Sequence, residues 1–338
     1  MRLRVQENVS LKQKHTFGLA AIADAYVQVS NIEQLREALA LPFKSKIILG
    51  GGSNLIFTKD YAGLVIRIDI KDIEVVRELK NKVHLRVGAG ENWHNAVLWT
   101  LNNNFGGLEN LSLIPGTVGA SPIQNIGAYG VELKDVFLKL KALEIATGKV
   151  KIFNKKACKF GYRDSYFKQI GKGKYIILEV FFTLTHTHHQ TNISYGAIQA
   201  ELDKMSLVNN TIQNISKAVI KIRNSKLPDP QKVGNAGSFF KNPIISKTRF
   251  QKIQNQFPDV VNYALPNGKI KLAAGWLIDQ CHLKGTSIGD IGVHPNQALV
   301  LVNYGSGTAR DLEAMITKVI QSVENKFKVV LELEVNLV

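Results

Sequence analysis

The sequence predicts mixed α and β structure divided among more than one domain. Two observations carry this. Strand-like and helix-like apolar patterns alternate from residue 25 onward. The chain has 338 residues, 45% of them apolar, enough for two or three separate cores. A double-proline break, KLPDP at 226–230, then marks a domain boundary.

Taken in order, AYVQVS (25–30) reads as a strand and NIEQLREAL (31–39) as a helix capped by Ser30 or Asn31. KIILG (46–50) is a buried strand running into GGGSNLIF, and LVIRI (64–68) is the next strand. VHLRVGAG (83–90) is a strand ending in glycines. ENWHNAVLWTLNNN (91–104) is a helix that stops near Asn104, Gly106 and Gly107. Strands are expected at 137–145 and 175–184. Ile212, Ile215, Val219 and Ile222 form a helical stripe over 209–223. Further helices are expected at 271–282 and 308–325. The closing VVLELEV (329–335) alternates as a strand, with Leu331, Leu333 and Val335 on one side and Val330, Glu332 and Glu334 on the other.

Residues 114–130, IPGTVGASPIQNIGAYG, fit neither pattern. They have too little apolar periodicity for a helix and too much Gly and Pro for a strand. Structureless loops of this length are uncommon and usually functional. Glycine-rich backbone can turn successive N–H groups toward one anion. GGGSN (50–54) and GAGEN (88–92) also follow strands, but each lacks the third glycine of a dinucleotide fingerprint, with Leu55 and Trp93 in its place. Each is open to a second reading as a tight strand–helix turn.

The formal net charge is +16. The lysines are dispersed, however, and no zinc-finger or RNP motif accompanies them. Nucleic-acid binding is therefore not the expected function, and a phosphorylated small molecule fits the charge as well. The N-terminal MRLRVQENVSLKQKHTFG lacks the apolar core of a signal peptide. No stretch reaches the length of a membrane span. Cys158 and Cys281 form no CxxC pair, which fits a reducing compartment.

Several side chains could carry chemistry. Ser238, in GNAGSFFKNP (234–243), is either a proton donor or a turn serine, with no GxSxG context and no His–Asp partner. Arg163, in FGYRDSYF (160–167), either holds a substrate carboxylate or pairs with Asp164. His186, His188 and His189 invite a metal reading but have no matching second cluster, so no metal is expected.

GGGSNLIF, VGAGENWH, GLENLSLIPGTVGASPIQNIGAYGVEL, FGYRDSYF, KLPDP, GNAGSFFKNP, KLAAGWLIDQC, HPNQALVLVN and the final LELEV occur in one order along nearly the whole chain. Each is weak alone. As an ordered set they resemble the UDP-N-acetylenolpyruvoylglucosamine reductase (MurB) family. SYG at 194–196 resembles the type I branch, in which the residue matching Tyr195 closes over the substrate. Asn336 departs from the arginine often found after Glu-Val.

The resemblance implies an α+β, three-domain flavoenzyme. Residues 1–67 with 328–338 and residues 68–227 would be two small α/β FAD-binding subdomains, and 228–327 an α/β UDP-sugar domain. NADPH would reduce the FAD. Flavin N5 would then pass hydride to the enolpyruvyl group of UDP-N-acetylglucosamine enolpyruvate, giving UDP-N-acetylmuramate for peptidoglycan synthesis. Ser238 matches the general acid. Glu334 and Arg163 match the residues that polarise the enolpyruvyl carboxylate, a task Glu334 performs best when protonated. Tyr195, Lys226, Asn242 and Gln297 match UDP-sugar contacts. Gly50, Gly51, Gly52, Ser53, Asn54, Pro115, Gly116, Gly119, Ala120, Ser121, Gln124, Asn125, Gly127 and Arg223 match the FAD site. A cytoplasmic monomer without nucleic-acid or membrane partners is the expectation.

Overall fold

The strands expected in the first half fall into two sheets. A four-stranded sheet runs in the order Gln6–Ser10, Ile22–Val29, Tyr61–Ile68, Lys46–Leu49. Its last pair is parallel, from Lys46 beside Leu64 to Leu49 beside Arg67. Residues 50–60, with the short strand Leu55–Ile56, join the parallel pair, and the strands Ile22–Val29 and Lys46–Leu49 are linked through helix Ile32–Ala40. Asn31 is its cap, accepting the Gln34 N–H at 2.9 Å.

A five-stranded antiparallel sheet follows, ordered Val150–Asn154, Phe137–Glu144, Tyr175–Thr185, Lys82–Gly88, Ile73–Glu78. Val83, Leu85, Leu140 and Val180 are buried in its core. Helix Trp93–Asn102 starts at Asn92, which caps the Asn95 N–H, and the buried Trp93 indole donates to the Leu111 carbonyl at 2.9 Å. The sequence reading missed three strands here: Gln6–Ser10, Ile73–Glu78 and Val150–Asn154. All three end their sheets and are mostly exposed, so they carry little apolar signal.

This computed structural model describes residues 3–207 and 209–338; the first two residues of the N-terminal stretch read above lie outside it. The chain divides into two units. The first holds Met1–Val9, Ala23–Gly51 and Ala62–Ser225. Besides the main core it contains a small cluster in which Ile198 and Leu202 of helix Gly196–Lys204 meet Ile215, Val219 and Ile222 of helix Ile212–Lys226. The predicted stripe is therefore buried, and the helix ends where KLPDP begins.

The second unit holds Ser10–Ile22, Gly52–Tyr61 and Lys226–Val338. One sheet runs Gly234–Asn235, Leu301–Asn303, Ile291–Val293, Ser287–Ile288, and another Ile244–Ile245, Ile270–Leu272, Asn262–Ala264. Strand Ile270–Leu272 is hydrogen-bonded on both sides, which shortens the expected 271–282 helix to Ala274–Gln280. Helix Ala309–Phe327 begins in a Thr308–Asp311 capping box and buries Leu312, Met315, Val319 and Val323.

The expected strand over 329–335 does not form. Within it, Leu333 makes an isolated bridge to Phe240, and pairing resumes only where Asn336–Leu337 lies parallel to Leu55–Ile56. The alternation survives as burial: Leu331 and Val335 are inside, while Val330 and Glu332 face out. Apolar alternation orders which side chains are buried, but it does not supply a ladder partner.

Candidate functional site

In the first unit the glycine loops read separately from sequence meet. The 114–130 loop is tied to GAGEN (88–92). Trp93 N–H bonds to the Gly116 carbonyl at 3.0 Å, Val118 N–H to Glu91 at 2.9 Å, and Gly119 N–H to Ala89 at 2.9 Å. Close approach requires glycine. A Cβ on Gly119 would lie 2.5 Å from the Ala89 Cβ. On the other flank, a Cβ on Gly51 would lie 2.8 Å from Gly116 Cα, and one on Gly50 would lie 2.7 Å from Thr117 Oγ1. Two runs of side-chain-free backbone thus lie against one another, a surface suited to an anionic phosphate chain.

The loop also spends part of its polar groups inward. The amides of Val118, Gly119, Ala120, Ser121, Ile123, Asn125 and Ile126 all donate to internal carbonyls. Ser121 is buried, and its hydroxyl donates to the Val118 carbonyl at 2.6 Å. Asn125 is buried in a left-handed conformation, φ 46°. Its amide donates to Gly161 O and Glu132 Oε2, and its Oδ1 accepts the Lys134 N–H. These two side chains shape the loop. Pro115 and Ala120 are exposed on it.

Beside the loop stand two arginines. Arg163 has φ 51°, lies 3.4 Å (Nη1) from where a Gly127 Cβ would sit, and packs over the Tyr162 ring. Asp164 is engaged by the Ser165 amide and by Gln169. Arg223 donates from Nε to the Leu113 carbonyl at 3.2 Å and interacts with Tyr129. Burial pushes the Arg223 pKa down, Tyr129 opposes this, and the charge of Arg163 adds to the depression. Two mutually repelling guanidinium groups are therefore held in one neighbourhood, where an anion would be stabilised. Tyr195 is 45% exposed and meets Tyr129 edge-on, ring centroids 5.2 Å apart.

Leu113, Asn125, Tyr129 and Arg163 all have φ between 46° and 58°. Left-handed non-glycine residues are uncommon and cost about 1–3 kcal/mol each. Their concentration here is the strain expected of a functional site. Sequence reasoning assigned no role to Tyr129 or to His94, and neither carries a local signal beyond its place in a quoted motif.

His94 Nδ1 accepts the Leu113 N–H at 2.9 Å, supporting the residue whose carbonyl receives Arg223. Burial, and then the Arg223 charge, push the His94 pKa down. The unfolded chain therefore takes up a proton near pH 6.5 that the folded chain still refuses. This contribution is whole above that pH and is lost as pH falls. His94→Asn keeps an acceptor near the Nδ1 position without titrating, and should flatten the decline in Tm between pH 7 and 5. An unchanged slope would put the acid sensitivity elsewhere.

In the second unit Ser238 sits half-buried after Gly237, φ 70°, on a turn fixed from several directions. The buried Asn235 donates from its side chain to Pro228 and Val233 carbonyls and accepts the Gly237 N–H. Phe239 N–H bonds to the Leu299 carbonyl, and Glu334 N–H bonds to the Phe239 carbonyl at 2.9 Å. Ser238 and Glu334, far apart in sequence, are thus flanking neighbours. Gln297 Oε1 lies 3.4 Å from the Leu299 N–H on the same strip. Asn242 Oδ1 accepts the Ala274 N–H at the start of helix Ala274–Gln280. The exposed Glu332 pairs with Lys241 instead, at 2.9 Å. Asn54 Nδ2 is 3.4 Å from the Glu334 carbonyl. Gly52, φ 66°, faces Lys14 and His15 so closely that a Cβ would lie 2.2 Å from the Lys14 carbonyl. Lys226 is exposed at the end of its helix, and Ser53 is partly buried.

Residues 229–338 match the family model of the UDP-N-acetylenolpyruvoylglucosamine reductase C-terminal domain, and residues 23–154 match that of an FAD binding domain. The chain is 48% identical to UDP-N-acetylenolpyruvoylglucosamine reductase of Flavobacterium johnsoniae, covering 99% of this chain and 100% of that one. It is 49% identical to the protein of the same name from Amoebophilus asiaticus, covering 99% of each. The chain belongs to the UDP-N-acetylenolpyruvoylglucosamine reductase family. The α+β multi-domain fold agrees with this. The solved reductase of Thermus caldophilus superimposes with a TM-score of 0.68 over 100% of this chain and 99% of that one, at 23% identity.

Within this reductase family framework, the FAD-domain match contains Gly50–Asn54 and all of 114–130, and the C-terminal match contains Ser238, Asn242, Gln297 and Glu334. Arg163, Tyr195, Arg223 and Lys226 lie between the two. The residues fit FAD by one structural test, the Gly51–Gly116 backbone contact that a Cβ would fill. The histidine tract is occupied by structural bonds: His186 Nε2 lies 2.9 Å from the Leu79 carbonyl and His189 Nδ1 2.7 Å from Thr185 Oγ1. Among the described residues no group of three His, Cys, Asp or Glu is arranged to hold a metal, and no helix is long and apolar enough to cross a membrane.

Proposed function

We infer that this chain is a flavoenzyme that reduces UDP-N-acetylenolpyruvylglucosamine to UDP-N-acetylmuramate. The observation that carries this is near-50% identity to named reductases over the entire chain. When bound, FAD carries a hydride from NADPH to the enolpyruvyl group. The protein supplies position, charge and a proton.

The backbone at Gly50–Asn54 and Gly116–Gly127, with Arg223, holds FAD in this reading; Pro115 and Gln124 line it, and Ser121 and Asn125 keep the loop in shape. Ser238 gives a proton to the carbon next to the carboxylate of the reduced substrate. A serine hydroxyl is a weak acid, but an enolate-like base is strong enough to take its proton at hydrogen-bond distance. The Asn235 bonds support this by fixing the turn that carries Ser238. Arg163 and Glu334 stabilise the negative charge that develops on the substrate carboxylate. Tyr195, Lys226, Asn242 and Gln297 bind the UDP-sugar.

We assign residues 1–67 with 328–338 and residues 68–227 to FAD binding, and 228–327 to the UDP-sugar. The same reading makes the enzyme a cytoplasmic monomer working on small molecules. The test is anaerobic. The purified protein should be yellow, bleach with NADPH, and recover its colour on adding UDP-N-acetylglucosamine enolpyruvate. Faster recovery with another acceptor would overturn the substrate assignment.

A further inference from the structure

We propose that Asn110 is a positioning residue that sets the pose of Tyr195. The inference rests on the reading of Tyr195 as a UDP-sugar contact. Asn110 belongs to the single turn Glu109–Leu111 and is 1% exposed. Its side-chain Nδ2 donates two hydrogen bonds, to the Tyr129 carbonyl at 2.9 Å and to the Asn192 carbonyl at 2.8 Å. Its Oδ1 is buried and accepts no hydrogen bond among the described residues, so the residue acts through its two donors.

Those two bonds join segments that are otherwise distant in sequence. Asn192 adds a reciprocal staple, donating from its own Nδ2 to the Gly130 carbonyl at 3.2 Å. The Asn192 Oδ1 accepts both the N–H and the hydroxyl of Ser194. Residues 192–194 are thereby clamped to the Tyr129–Gly130 turn. The next residue is Tyr195, which lays its ring edge-on against Tyr129. Burial cannot fix a ring that is 45% exposed; the clamp behind it can. A carboxamide nitrogen presents two N–H groups to carbonyls converging on one buried point without burying a charge. Aspartate presents none there and alanine nothing. A pre-set ring spares the ordering cost when substrate binds.

The test is a double-mutant cycle on the full-length, FAD-loaded enzyme. Asn110→Ala should raise KM for the UDP-sugar by roughly 3- to 30-fold, inside the range that coupling between contacting groups covers. The rate of flavin reduction by NADPH should not change. In a Tyr195→Ala background, Asn110→Ala should add less than about 2-fold, because its route to the substrate is gone. An equal factor in both backgrounds would mean general loosening and would overturn the inference while leaving the Tyr195 assignment intact. No change of KM in Tyr195→Ala itself would overturn that assignment and the inference with it. Should Asn110→Ala fail to fold, Asn192→Ala removes the reciprocal staple from a less buried site. It should raise KM only when Tyr195 is present, and an unchanged KM would overturn the inference.

Discussion

Replacing Ser238 by alanine should leave reduction of the flavin by NADPH intact and slow reduction of the enolpyruvyl sugar by about 10²–10⁴-fold, the usual effect of losing a general acid. The asymmetry follows from where the hydroxyl sits. The turn is held by Asn235, by the Phe239–Leu299 bond and by the Glu334–Phe239 bond, none of which uses the Ser238 side chain. Alanine should therefore keep the backbone in place and remove only the proton donor. Stopped-flow measurement of each half-reaction separates the outcomes. Equal loss in both would point to a damaged fold or lost cofactor, and no loss in the second would remove Ser238 from the proton step.

Gly119→Ala should give a protein with much less bound flavin and with stability lower by about 1–3 kcal/mol, the usual cost of forcing a methyl into a filled space. The new Cβ would lie 2.5 Å from the Ala89 Cβ and 3.0 Å from the Ala89 carbonyl oxygen. Neither neighbour is the movable end of a long side chain, so relief must separate the 114–130 loop from the 88–92 turn. Gly51→Ala should act likewise, since its methyl would meet Gly116 Cα at 2.8 Å. Gly196→Ala is the control: it has nothing within 4 Å and no left-handed φ. The ratio of flavin to protein absorbance after purification reads the effect. Flavin content equal to that of Gly196→Ala would show that these contacts do not shape the cofactor site.

Much of this architecture was legible from local chemistry. Asn31, one of the two caps the sequence offers, caps its helix, while the helix expected from residue 91 starts two residues later behind Asn92. The stripe at Ile212, Ile215, Val219 and Ile222 is buried because its period matches one helix face. The 114–130 segment is irregular, apart from the short turn Val118–Ala120 and the beginning of a small hairpin at Gly127–Ala128, because Gly and Pro deny it a longer element. The ordered motifs also pointed to the family and to the candidate serine. The edge strands stayed hidden because an exposed strand needs no apolar face.

Local sequence sets the helices Ile32–Ala40, Trp93–Asn102, Ile212–Lys226, Ala274–Gln280 and Ala309–Phe327, the central strands of the first unit, the irregular glycine loops and the family. Each depends on interactions within a few residues or on a motif order that can be read linearly. Helices Gly196–Lys204 and Lys247–Gln256 and the strands of the second unit went unread. Only the folded chain shows that the 50–51, 88–92 and 116–119 backbones touch, that the Glu334 N–H bonds to the residue after Ser238, and that Arg163, Arg223, Tyr129 and Tyr195 share one neighbourhood. Tertiary structure also replaced the expected terminal strand by a bridge and a few single bonds. The physical reason is the same in each case. Burial of apolar side chains is encoded by local pattern, whereas a ladder partner, a backbone contact or a pair of facing charges is supplied by a distant segment, and no spacing within one segment specifies it.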